Sequence, residues 1–392
     1  MDRAQAPVPA ERLPALVVGD TRLLVRSVAR LLHRAGCVCD VVTGSYAFGP
    51  TRTVRHVLRA DSPAAALAAA VDWQRAHGGL VVPCDDRFLH TVRASGLEPA
   101  EQCRLVPVTG PEHLAAVASK VGLSRALERA GVSTPRFAVA AGAGDLSAAC
   151  RALGWPLLVK EDLSWAGEGV HRCGSPDDVR RLAERAPPGP LLVQEWIDGE
   201  AIDLSGFFRD GRPVHFVHAE LLVTSGGPFG VSSVRRYRGL EAFGRELFDA
   251  VAGMAAALGL HGFANVTAIR RAGDGRLLFI EADQRPNLWV DMARHRGDDP
   301  ALAIQAALRG GRTMSWPPAA GGAAELDLGH ILRVPAWEVL LGRRGTWRQL
   351  FDHEPLDLAW RLSGRLGRVA TRLAKGLSRG VSRRRPSGRG PR

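Results

Sequence analysis

Short apolar runs and helical spacings alternate through the first part of the chain. Leu13–Gly19 (LPALVVG) reads as a buried strand. Arg22–Ala35 follows with Leu24, Val28, Leu31 and Leu32 at helical spacing, and Gly36 closes it. Cys37–Thr43 (CVCDVVT) is a second strand, Ala64–Ala76 a helix, and Gly79–Pro83 a strand ending at Cys84-Asp85-Asp86. Such alternation implies a parallel sheet with right-handed crossovers. The first strand-to-helix turn is GDTR rather than GxGxxG, so the expectation is a structural Rossmann-like domain without a dinucleotide site.

From about Pro111 the pattern changes. Glu112–Ser119 and Leu123–Ala130 read as short helices, and Leu157–Lys160 and Leu191–Glu195 as strands separated by a Gly-rich loop and a helix at Asp177–Ala186. Ile202–Phe208, Pro213–Ala219, Ala264–Arg270 and Arg276–Glu281 alternate like antiparallel strands, with Glu241–Leu258 an amphipathic helix among them. Thr224–Arg238 reads as a Gly-rich basic loop. Residues 316–325 are a Pro/Gly/Ala linker. Beyond it Leu362, Leu366, Val369, Leu373, Leu377 and Val381 mark a basic amphipathic helix interrupted by glycines.

Composition sharpens this division. The 392 residues suffice for two or three domains. The net charge is +12, but the 11 basic residues between Arg361 and Arg392, with no acid after Asp357, leave a body near +1. A nearly neutral body argues against specific nucleic-acid binding. The tail reads equally as a contact for an anionic membrane surface or as a solvated extension. Six cysteines without CxxC spacing read as buried small hydrophobes of a reducing compartment. Neither a secretory leader nor a membrane-spanning run is visible, so a cytoplasmic location is expected.

The chemistry begins with lysine, of which the chain has only Lys120, Lys160 and Lys375 among its 52 basic residues. A lysine kept against so strong an arginine bias points to a site wanting a compact ammonium, such as a phosphate contact, although a lone lysine is ordinarily a surface residue. Lys160 ends the strand LLVK and precedes EDLSWAGEGV, where Ser164, Gly167 and Gly169 make a loop able to close over a polyphosphate. In LLVQEWIDGE a strand runs into Glu195, Trp196 and Ile197, whose backbone groups and the Glu195 carboxylate can read an adenine edge. Glu281 and Asp283 alternate on one strand in GRLLFIEAD, a pair that a hard divalent cation would relieve of repulsion. Arg285 follows, able to grip a phosphoryl group with two nitrogens.

In order and spacing, SKVGLSRALERAGVSTP, LGWPLLVKEDLSWAGEGV, LLVQEWIDGE and GFANVTAIRRAGDGRLLFIEADQRPN resemble the ATP-grasp superfamily, in its carbamoyl-phosphate-synthase-like or carboxylate–amine ligase form. The resemblance implies an α/β Rossmann-like pre-ATP-grasp domain at 1–108 and an α+β ATP-grasp fold at 109–310, with subdomains 109–190 and 191–310. A small extension at 311–357 and the basic tail at 358–392 complete the chain. It also implies roles. Lys120 would reach the α-phosphate and Lys160 the α- and β-phosphates, with Ser164 to Val170 closing over the triphosphate. Glu195, Trp196 and Ile197 would form the adenine hinge, and Glu200 would hold the ribose. Glu281 would bridge two Mg²⁺ (or Mn²⁺) ions, with Asp283 where the family usually has Asn.

The implied activity is ADP-forming: a carboxylate is activated as an acylphosphate by ATP and attacked by an amine, with small-molecule substrates and with room for a homodimer. Thr267 departs from the pattern, standing where another carboxylate or Gln ligand is usual. It is the feature that favours the alternative, a nucleotide-binding protein without ligase activity in a regulatory or scaffolding role. His215 and His218 are expected to be structural. Arg235 or Arg236 is either a carboxylate anchor or part of a solvated loop, and Asn287 either polarises an acceptor or caps a turn.

Overall fold

The computed structural model describes residues 12–45, 51–164, 169–186, 188–225, 231–311, 313–317 and 325–329. Gly167 and the basic tail at 358–392 therefore lie outside the described residues, as does most of 311–357. Strands β1 (Leu13–Val18), β2 (Cys37–Thr43), β3 (Val57–Arg59) and β4 (Leu80–Pro83) form an all-parallel sheet in the order β3-β2-β1-β4. Helices α1 (Arg22–Arg34), α2 (Pro63–His77) and α3 (Asp86–Arg93) accompany it. The continuous apolar runs of β1 and β2 follow from this: Ala15 and Val17 face one core with α1, while Leu16 and Val18 face another with α2 and α3. Cys37, Cys39 and Cys84 are buried within these layers, and burial pushes the Cys37 thiol up to about 11.

After α4 (Pro99–Cys103), α5 (Lys120–Arg129) leads to a second sheet. It contains β5 (Phe137–Ala140), β6 (Leu157–Glu161), β7 (Val170–Cys173) and β8 (Leu191–Glu195) in the order β5-β8-β6-β7, covered by α6 (Ala143–Arg151) and α7 (Pro176–Ala183). Ser175 starts α7 with a complete capping box to Asp178. The expected division between 190 and 191 is corrected here. β8 pairs with both β5 and β6, so the break between the sheets falls after Glu195.

A larger antiparallel sheet follows, with β9 (Gly199–Arg209), β10 (Arg212–Ser225), β11 (Val231–Arg238), β12 (Gly262–Arg271) and β13 (Leu277–Asp283) adjacent in the order β13-β12-β9-β10-β11. The supposed loop at Thr224–Arg238 is thus mostly strand: Thr224 and Ser225 end β10, and β11 pairs with it from Val231. Helix α8 (Gly244–Ala257) covers one face, meeting Leu204, Val266 and Phe279. Helix α9 (Pro300–Leu308) does not stay with this sheet. Its Ala301, Ile304 and Ala307 join Val28 and Leu32 in the core of the parallel sheet, so 109–310 is not one separate body. Among the described residues no helix is long and apolar enough to cross a membrane.

A single amide ties the end of β13 to the segment before α5. Gln284 is fully buried; its carbonyl accepts from Ala118 N–H at 3.1 Å and its amide donates to Ala116 C=O at 3.0 Å. Gln284→Ala leaves both backbone groups without partners, so it should cost roughly 2–4 kcal/mol in a urea titration. A variant as stable as the parent would show that water replaces the amide.

Candidate active site

Lys120 stands at the first position of α5, where Ser119 caps the helix by accepting from Gly122 N–H at 2.9 Å. Asp162, in the turn after β6, accepts from the Ser119 hydroxyl at 2.9 Å and from Val121 N–H at 2.8 Å. Helix start and turn are thereby locked together. The Lys120 ammonium donates to the Ser164 carbonyl and, at 3.1 Å, to the Ser164 hydroxyl. Gly169 closes the far side of the loop with φ +69°, packed on the Glu161 side chain so closely that a Cβ would collide at 2.7 Å.

Lys160 is 5% exposed. Burial lowers its ammonium to about 8, against the opposing pull of Glu281 and with a smaller push from Lys120. Its nitrogen makes a long 3.4 Å contact to the carbonyl of Ile280. Ile280 is the extra residue of a β-bulge: Thr267 pairs with Glu281, but the next residue, Ala268, pairs with Phe279. The bulge inverts the facing of the strand. Leu277 and Phe279 point into the α8 core before it and Ala282 after it, which turns Glu281 and Asp283 away from that core.

Glu281 and Asp283 line one pocket with Lys120, Ser164, Arg285, Asp86 and His90. Burial raises the Asp283 carboxyl above its usual range, Arg285 pulls it down, and the charges of Glu281 and Asp86 raise it further. Arg285 does not present a free fork. Its Nε and Nη2 hold both oxygens of Asp86 at 2.7 Å each, and Nη2 lies 3.2 Å from Asp283. Asp86 and His90 come from α3 of the parallel sheet and were missed by sequence reasoning. The signal for them was the acidic pair Asp85-Asp86 just past the carboxyl end of a parallel strand, where such sheets place their sites.

The pocket encloses about 50 Å³, enough for one or two waters. It is the phosphate-sized end of a site rather than the whole of one. The residues expected at the adenine and ribose do not line it. Glu195 turns its carboxylate to Arg136, accepting from the backbone N–H at 2.9 Å and from Nε at 2.7 Å. Trp196 donates to Asp198 at 2.6 Å under the Arg172 guanidinium; Ile197 is buried and Glu200 exposed at the start of β9. Asn287 caps a turn by accepting from Trp289 N–H at 2.9 Å. Thr267 donates to Asp203 at 2.7 Å, which accounts for a hydroxyl at that position. His215 pairs with Asp298 at 2.8 Å, and His218 is fully buried against Phe243, its imidazole held neutral with a value lowered to about 3 by burial.

The lowered Lys160 value links to stability. The unfolded lysine binds its proton up to 10.5 and the folded one only to about 8, so between these values stability rises with pH. The shift corresponds to roughly 3 kcal/mol of buried-charge cost below pH 8. Lys160→Met should therefore leave the protein at least as stable at pH 7 and remove this rise from its urea-denaturation profile. A large loss of stability at pH 7 would contradict it.

No family model matches the chain. It is 27% identical over 208 residues to the D-alanine–D-alanine ligase of Stutzerimonas stutzeri, covering 48% of this chain and 62% of that protein. It is 28% identical over 207 residues to the formate-dependent phosphoribosylglycinamide formyltransferase of Azoarcus, covering 50% and 51%. The chain thus spans less than two thirds of these curated relatives. Among solved structures, the L-amino acid ligase of Bacillus licheniformis superposes with TM-score 0.56 at 16% identity, over 76% of this chain and 74% of that one. The biotin carboxylase of Campylobacter jejuni, in a β-γ-ATP complex, gives 0.61 at 14%, over 81% and 75%. By its sheets and by these likenesses, the chain belongs to the ATP-grasp superfamily.

Proposed function

We propose that the chain is an ADP-forming carboxylate–amine ligase, and that the pocket of Lys120, Lys160, Glu281 and Asp283 receives the phosphates of ATP. The observation that carries this reading is the joining of two ammonium groups and two carboxylates from three separate elements, at the position where ligase relatives bind nucleotide. In this reading the parallel sheet is the pre-ATP-grasp domain, and the two later sheets are the ATP-grasp subdomains.

The donor set fits a hard divalent ion held jointly with phosphate oxygens. Glu281 and Asp283 crowd like charges in a poorly solvated pocket, and Asp283 is raised by exactly that burial and repulsion. Among the described residues no group of three His, Cys, Asp or Glu side chains is placed to hold a metal alone. Magnesium would thus arrive with the nucleotide, and when bound it would screen the charge of the transferring phosphoryl. Lys160, desolvated and beside Glu281, binds phosphate most strongly while protonated. Lys120 and Ser164 hold the loop edge at the same pocket, which keeps water from a hydrolysable intermediate. Arg285, fixed by Asp86, presents a fully ionised guanidinium beside Asp283.

The reaction balances simply. A carboxylate oxygen attacks the γ-phosphorus and ADP leaves; the amine then attacks the acyl carbon and phosphate leaves with that oxygen as the amine gives up a proton. Screening carboxylate and amine pairs for ADP release, with ¹⁸O in the carboxylate, should therefore deliver one ¹⁸O to inorganic phosphate. Lys160→Met and Glu281→Gln should each lower turnover by about 10²–10³, and nucleotide affinity should fall as pH rises through about 8. Phosphate without ¹⁸O, or unchanged turnover in both variants, would refute the ligase reading.

A further inference from the structure

The carboxylates of β13 begin a row of side chains that crosses the sheet on one face. Glu281 pairs with Thr267, Thr267 with Asp203, Asp203 with Ala219, and Ala219 with Tyr237. Arg235 lies two residues before Tyr237 on β11, on the same face. It is 4% exposed and reaches back across β10 to Asp203 with Nη2, while Nε donates to Ser232 at 2.7 Å. Its guanidinium lies over the Trp289 ring at 4.7 Å, and Tyr237 packs on the same ring at 6.4 Å.

Two donors in this cluster lack a hydrogen-bond partner among the described residues: Arg235 Nη1 and the hydroxyl of Tyr237, itself 1% exposed. Leaving such groups buried and unsatisfied is costly, and a structural arginine would not need a second nitrogen held idle. One cationic donor and one neutral donor side by side match a carboxylate. Ala219, the small residue of the row, leaves the space between Asp203 and Tyr237 without a long side chain. The Arg235 guanidinium at Asp203 stands two strand spacings from Glu281, about 10 Å, a span that two joined molecules of amino-acid size would fill.

We propose that Arg235 and Tyr237 form the subsite for a carboxylate on the amine substrate, which is therefore an amino acid or a related amino carboxylate. This rests on the ligase reading of the adjoining pocket. Arg235 holds the anion, Tyr237 adds the second hydrogen bond, and Asp203, fixed by Thr267, is the positioning residue that aims the guanidinium. The hydroxyl at 267 thus serves the amine substrate rather than a metal.

Thermal shifts of the full chain with Mg²⁺ and a non-hydrolysable ATP analogue test this against a panel of L- and D-amino acids and their carboxamides. At least one amino acid should raise Tm beyond the nucleotide alone while its carboxamide does not. Tyr237→Phe should keep the nucleotide shift, be at least as stable as the parent without ligand, and weaken that amino acid about tenfold. Arg235→Lys should weaken it about a hundredfold. Carboxamides as effective as acids, no amino acid adding to the nucleotide shift, or unchanged affinity in Tyr237→Phe would overturn the subsite. A parent protein with no nucleotide shift would first overturn the ligase reading, and the subsite with it.

Discussion

A positive charge held out of water organises this molecule. The Lys160 ammonium is enclosed at the end of β6, opposed by Glu281 from another sheet, and burial outweighs that attraction. Such a group is costly when nothing anionic is bound and is relieved by a polyanion, so the cost is stored in the direction that favours binding. Its position requires two sheets to meet at one point. The bulge at Ile280 makes this happen by turning Glu281 out of the core and directing a carbonyl toward the lysine.

The parallel sheet is part of the same device. Asp86 fixes Arg285 from one side, and Gln284 fastens the next residue to the segment leading into α5. Arg34 of α1 reaches Asp291 and Asp299, beyond β13, at 2.6 and 3.2 Å. Three successive anchors after Asp283 therefore tie the acidic strand end to the first layer of the fold. Local order at the site is a consequence of long-range packing.

Much of this was legible in the chain. The apolar runs at Leu13 and Cys37 had the length and continuity of buried parallel strands, and the rare lysines marked two of the groups that meet at the pocket. Other features were hidden for physical reasons. Strict alternation across LLFIEAD places Phe279 and Glu281 on one face, and only pairing with β12 shows the bulge that separates them. The Thr224–Arg238 segment reads as loop because its glycines are local, whereas the pairing that makes Val231–Arg238 a strand comes from β10. Glu195 looks available in a linear motif; its engagement by Arg136 depends on β5 lying beside β8. Strand β8 was separated from its sheet because a sequence break does not reveal which neighbours a strand will join.

A crystal structure of the full chain with Mg²⁺ and a non-hydrolysable ATP analogue is the most direct measurement of whether these groups form one phosphate site. The expected result places the triphosphate within hydrogen-bonding reach of both Lys120 and Lys160, with the metal between it and the carboxylates of Glu281 and Asp283. Nucleotide density at another surface, with Lys160 still enclosed against Ile280 and Glu281, would contradict it.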